Sequence, residues 1–210
     1  MDEKFREKSN FYDKLNDLLP TYETVKDLII KIETFDEKEE VYVAPMNEMR
    51  STLDHIFRAI KYSNNPAKCD EVLIGAKEHL ERAAYDSYDL LAKILGKQVK
   101  TKTDPYDLDT LNASLPEYFS EIKPKIYEIQ MKIIDLRKKR DIKCETYLST
   151  YDDMIQQLWN INKLIDSRIS SLVECKEKKK REKKIERFWQ YIIGPIIGFA
   201  FALFLWLLTK

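Results

Sequence analysis

Glycine is almost missing from this chain. Four occur in 210 residues, and two of them, Gly194 and Gly198, lie in the final apolar stretch. Only Gly75 and Gly96 precede it. Loops that cradle phosphates need several closely spaced glycines, so the P-loop and the GxGxxG nucleotide fingerprint are excluded. HExxH and GxSxG are missing as well. Two histidines, His55 and His79, offer little to a metal centre or a catalytic triad. Three cysteines, Cys69, Cys144 and Cys175, are widely spaced without a CxxC pair, which excludes a disulfide framework and a zinc site. They read as small thiols of a reducing compartment. No catalytic residue, metal or cofactor is expected. Charge of one sign is not in excess, with 36 basic and 36 acidic residues, so the whole surface is not a nonspecific nucleic-acid binder. The opening MDEKFREKSN has no apolar core, and a secretory signal peptide is not expected. The longest strand-period run is Val41–Val43.

What remains is helix. Scarce glycine and long charged–apolar alternation favour it nearly everywhere. Prolines 20, 45, 66, 105, 116 and 124 divide the chain into blocks over 2–19, 21–34, 46–62 and 67–95, with SNNP (63–66) as a turn and Gly96 as a helix stop. Each block carries an apolar stripe that needs cover, so residues 1–124 read as a helical bundle. From Lys125 to Ile193 there is neither Gly nor Pro. Ile126, Ile129, Ile133 and Leu136 start a near-heptad seam. It lapses at 138–143 and resumes from Cys144 through Tyr151, Leu158, Ile165 and Leu172. A long helix over 125–187 is predicted, packing against the bundle and leading into the last segment, 188–210.

That last segment holds 22 consecutive uncharged residues, Phe188 to Thr209. As a helix they extend about 33 Å, enough for a hydrocarbon layer of about 30 Å. Trp189 and Trp206 sit near the ends, where indole rings prefer the interface. Just before it, Lys176–Arg187 carries eight basic and three acidic residues. Such a collar is retained on the cytoplasmic side, so the expected topology is single-pass in the cell inner membrane with the N-terminal domain cytoplasmic. The collar also suits anionic lipid headgroups. Gly194 and Gly198 share a helix face that lets two helices approach, and Pro195 leaves the Tyr191 carbonyl without its donor and is expected to kink the helix. With no charge between Ile192 and Leu208, a pore built from this helix, lined from Gly194, Pro195, Gly198, Phe201 and Leu205, has to be a hydrophobic gate. A simple anchor fits the same residues.

Two basic clusters are candidate ligand sites. Arg50, Asp54 and Arg58 recur on one helix, and Glu78, Arg82, Asp86 and Asp89 on the next. The arginines Arg50, Arg58 and Arg82 suit an anionic nucleotide or oligonucleotide phosphate, and the bland alternative is an interhelical ion-pair network. Arg137, Lys138, Lys139, Arg140 and Lys143, near Tyr147 and Tyr151, suit charge and stacking contacts with a single-stranded nucleic acid, or simply a solvated turn. Arg50 and His55, in RSTLDH, have the Arg-x4-His spacing that resembles the ribonuclease motif of the HEPN family. Ser51 follows the arginine where that family usually carries Asn, Asp or His.

The plan of helical body, basic collar and C-terminal span, with the stretch EHLERAAYDSYDLL (78–91), resembles the small membrane effectors of bacterial anti-phage systems, the Hailong A type among them. The resemblance implies a homo-oligomeric ion channel, gated by a nucleotide or nucleic-acid signal from a partner nucleotidyltransferase. The alternatives are a passive tail-anchored helical adaptor and a membrane-tethered HEPN-like RNase.

Overall fold

A computed structural model describes residues 11–36, 42–138 and 145–209. Among them there is no strand, and the protein is all-α. The helices are α1 (11–16), α2 (Leu19–Phe35), α3 (Val43–Lys61), α4 (Pro66–Thr103), α5 (Leu108–Ser114), α6 (Lys123–Lys138), α7 (Glu145–Phe188) and α8 (Gly194–Leu208). Two π turns, Tyr118–Ile122 and Trp189–Ile193, lead directly into α6 and α8.

Prolines mark helix starts, as their fixed φ and missing N–H require. Pro20 lies in the first turn of α2, and Pro45 in that of α3. Pro66 opens α4 behind Asn65, whose side-chain oxygen accepts the Lys68 N–H at 3.2 Å. Asp107 caps α5 by accepting the Thr110 N–H at 2.8 Å.

Two expectations need correction. Gly96 does not stop the fourth helix, which runs on to Thr103. A Cβ built at Gly96 meets nothing within 4 Å, and the position is interior helix. Nor do residues 125–187 form one rod. The Arg137 guanidinium and the Tyr151 hydroxyl both reach the carboxylate of Asp89, at 2.7 and 3.1 Å. Fourteen residues apart on a single helix they would lie about 21 Å from each other. Thus α6 and α7 are separate helices packed into one core. Segment 139–144, where the apolar pattern lapses, lies outside the described residues.

The chain divides into two compact units, one from Met1–Lys100 and Lys125–Asn162, the other from Thr101–Pro124 and Lys163–Lys210. Residues 101–124, expected within the N-terminal bundle, belong to the second unit. In that unit the largest core gathers Leu28 and Ile32 of α2, Tyr88, Leu91 and Leu95 of α4, Ile129 and Ile133 of α6, and Tyr151, Met154 and Leu158 of α7. A second cluster joins Leu18 and Ala59 to Cys69, Val72, Leu73, Ala76 and Leu80. Full burial of each large side chain contributes about 1.5–3 kcal/mol, so these stripes hold the helices together. Inside the core, Asn162 donates from one amide nitrogen to the Leu95 and Leu158 carbonyls, at 3.0 and 3.1 Å.

In the second unit, residues 101–124 brace α7. Lys102 pairs with Asp166 at 2.7 Å, and the Ser114 hydroxyl donates to the Ser171 carbonyl at 3.3 Å. Lys176 donates to the Pro105 carbonyl at 2.8 Å and lies over the Tyr106 ring. Lys179 sits 3.5 Å from Asp107. The first turn of the basic collar is therefore tied down, and residues 181–190 are exposed throughout.

Candidate functional site

The most unusual surface is the end of the chain. Leu148–Leu208 is continuous helix, and its most apolar window has a mean hydropathy of 2.3 with none of its residues buried. Soluble core helices of this composition are covered by other elements. This one is bare, with Phe199, Phe201 and Leu208 each at least 63% exposed. It is long and apolar enough to cross a membrane.

The effect of Pro195 is local. With no N–H, it cannot serve the Tyr191 carbonyl. The preceding turn widens instead, and the Gly194 N–H reaches back five residues to the Trp189 carbonyl. The π turn accommodates the proline, and helix continues on both sides. Gly194 has an ordinary clearance, since a Cβ there would lie 3.5 Å from the Trp189 oxygen. At Gly198 an added Cβ meets nothing. Gly198, Phe201 and Leu205 face open space.

The first arginine cluster does not converge on one point. Arg50 is exposed on α3. Arg58 pairs with Asp54 of its own helix at 3.6 Å. Arg82 crosses from α4 to Glu48 of α3 at 3.0 Å, where the same oxygen lies 2.7 Å from His79 Nδ1 and the Arg82 Nη2 lies 2.9 Å from that nitrogen. Burial pushes the Glu48 carboxyl up, but the hydrogen bonds from His79 and Arg82, with the Arg82 charge, outweigh it and hold the group below its ordinary range. The His79 ring lies 5.0 Å from that of His55, centroid to centroid. His55 Nδ1 hydrogen-bonds the Val72 carbonyl at 3.2 Å. The polar partner of His55 is thus a backbone carbonyl of α4. Glu48 was not among the residues singled out in the sequence. Its spacing from His79, 31 positions along the chain, is invisible until α3 and α4 pack.

Of the second cluster, Lys138 is exposed at the end of α6, while Lys139, Arg140 and Lys143 lie outside the described residues. Arg137 turns away from that run onto Asp89, a nearly buried carboxylate that also accepts from Tyr151. Beside them opens a groove of about 510 Å³ lined by Tyr42, Pro45, Asp86, Asp89, Lys93 and Arg137. Two carboxylates face two cations there, so the groove does not concentrate positive charge as a phosphate site does. Burial, with the Asp152 charge beside it, pushes the Tyr88 hydroxyl up to about 12. Among the described residues no group of three or more His, Cys, Asp or Glu is placed to hold a metal ion.

Comparisons with protein-family models, with curated proteins and with solved structures return no match to this chain.

Proposed function

We propose that this protein is a single-span membrane effector that assembles with copies of itself. Its helical bundle stands on the cytoplasmic side and the segment 188–209 lies in the bilayer. The observation that carries this reading is the wholly uncovered apolar window at the end of a 61-residue helix. Left in water, it would expose a surface far beyond the apolar patches of ordinary soluble domains. The exposed collar before it supplies basic groups for the headgroup region. The open surface at Gly198 offers the face on which a second span packs closely.

The pore is the more specific part of the proposal. It draws on the resemblance to anti-phage effectors, with the bundle sensing a nucleotide or nucleic-acid signal and the helix carrying the change into the bilayer. Membrane potential reports it directly. Expression of the wild-type chain under activating conditions collapses the potential, and Gly198→Leu, whose Cβ meets nothing within the protomer, abolishes the collapse. An unchanged potential with both proteins rejects the pore.

A passive anchor is the second reading. It is favoured by the ion pairing of Arg82 and Arg137, each already seated on a carboxylate of another helix. Replacing 188–209 by an unrelated apolar span keeps function under this reading and destroys it under the first.

A further inference from the structure

Helix α3 carries two apolar stripes, and among the described residues only one is covered. The inner stripe, with Pro45, Thr52 and Ala59 buried and Met49 and Ile56 packed beside them, faces the core. One residue further on, about 100° round the helix, runs a second stripe of Val43, Met46, Arg50, Leu53, Phe57 and Ile60. Its spacing is three, four, three, four and three, the seam of a two-helix coiled coil. Its five apolar members are each more than half exposed.

The stripe is complementary to itself when reversed. Laid antiparallel on a second copy, Val43 meets Ile60, Met46 meets Phe57, and Arg50 meets Leu53. The methionine–phenylalanine layers gain sulfur–aromatic contact. Arg50, the one charge in the seam, then lies beside Asp54 of the second copy. Asp54 is free to exchange partners, because its contact with Arg58 is long at 3.6 Å and both groups are well exposed. A parallel pairing would instead stack Arg50 on Arg50. We propose that α3 is a homodimerisation face, closed by an isologous antiparallel pairing with α3 of a second copy. This deepens the self-association proposed above by adding a contact outside the bilayer.

The test uses the full chain in detergent micelles, with Cys144→Ser and Cys175→Ser to lower background. Two differently tagged populations, one with Met46→Cys and one with Phe57→Cys, are co-expressed and treated with a short bismaleimide. The expected product is the mixed dimer, Met46→Cys linked to Phe57→Cys. Dimers of Met46→Cys with itself mean a parallel pairing and overturn the proposal. So does the absence of any cross-link, whether the face then proves bare, lipid-bound or covered by another protein. Phe57→Glu, at an exposed position that leaves the fold intact, should weaken cross-linking at least about tenfold. Arg50→Glu should weaken it too, with recovery on adding Asp54→Arg. Repeating the experiment in Gly198→Leu separates the two contacts. Cross-links that persist there place self-association at α3 whatever the span does. A chain that still assembles by size without cross-links retains the span reading and loses this one.

Discussion

His55 lies on the backbone of Gly75. A Cβ added at Gly75 would come within 2.6 Å of the His55 Cε1 and 2.7 Å of its Nδ1. The imidazole reaches the Val72 carbonyl one turn earlier because nothing projects from α4 at that point. Gly75→Ala should push the ring off its seat. Overpacking of this kind costs about 1–3 kcal/mol, more than the gain of about 0.5–1 kcal/mol from replacing a mid-helix glycine. Urea unfolding of Gly75→Ala, His55→Ala and the double variant measures the coupling. If the penalty at 75 is unchanged when His55 is already alanine, the ring is not its cause.

Gly96 should respond the opposite way. It is interior to α4 with open space where a Cβ would go. Gly96→Ala is expected to stabilise the protein by about 0.5–1 kcal/mol. A loss of stability by thermal or urea unfolding would mean that the helix ends there.

Glu48 gives a pH dependence with a definite sign. Its folded carboxyl is held below the ordinary 4.5, so its contribution to stability is complete above that value and fades as pH falls through the folded value. Glu48→Gln should therefore be less stable than wild type at pH 6, by about 1 kcal/mol. The two curves should converge as acid is added below pH 4.5. A gap of constant size down to pH 3 would assign the loss to packing instead of charge.

Asp89 is the joint between α4, α6 and α7. Asp89→Ala removes the acceptor of the Tyr151 hydroxyl and the counter-charge of Arg137 together, and should cost about 2–4 kcal/mol. Arg137→Ala should cost about 1 kcal/mol, because the guanidinium is half exposed and water replaces it in the groove. The reverse ranking in urea unfolding would show that the pair is held from the arginine side.

Membrane insertion is checked by alkaline carbonate. The wild-type chain should stay with the membranes. Phe201→Arg together with Ile197→Arg adds about 2.5–3.5 kcal/mol per arginine to insertion and should release the protein to the wash. Release of the unmodified chain would leave the bare helix to some other cover.

Much of the architecture is legible in the residues. Pro20, Pro45 and Pro66 mark where helices begin, and the stripe periodicity shows that they need one another. The uncharged run from Phe188 is plain in the sequence. What periodicity cannot show is that two stretches of the same period belong to separate helices. The seams of α6 and α7 read as one rod because their phases nearly agree across 138–143. Gly96 lies inside α4 for a related reason: glycine stops a helix only where the backbone turns left-handed, and that depends on surroundings. The polar sites were hidden further still. Arg82 and Arg137 stand out as cations in the sequence, but Glu48 and Asp89, which claim them, are 34 and 48 positions away. Helix spacing relates residues three or four apart and says nothing of carboxylates on the next helix.

The two π turns have a shared cause and a directional effect. In each, the residue before a proline, Lys123 or Gly194, donates five positions back, to Tyr118 or Trp189. One extra residue is absorbed without an extra turn, which winds everything downstream back by about 100°. The azimuth at which Gly198 points, relative to the lysines of the collar, is therefore set by Pro195. Substituting that proline would tighten the turn and swivel the oily face, changing its heading while leaving its composition alone.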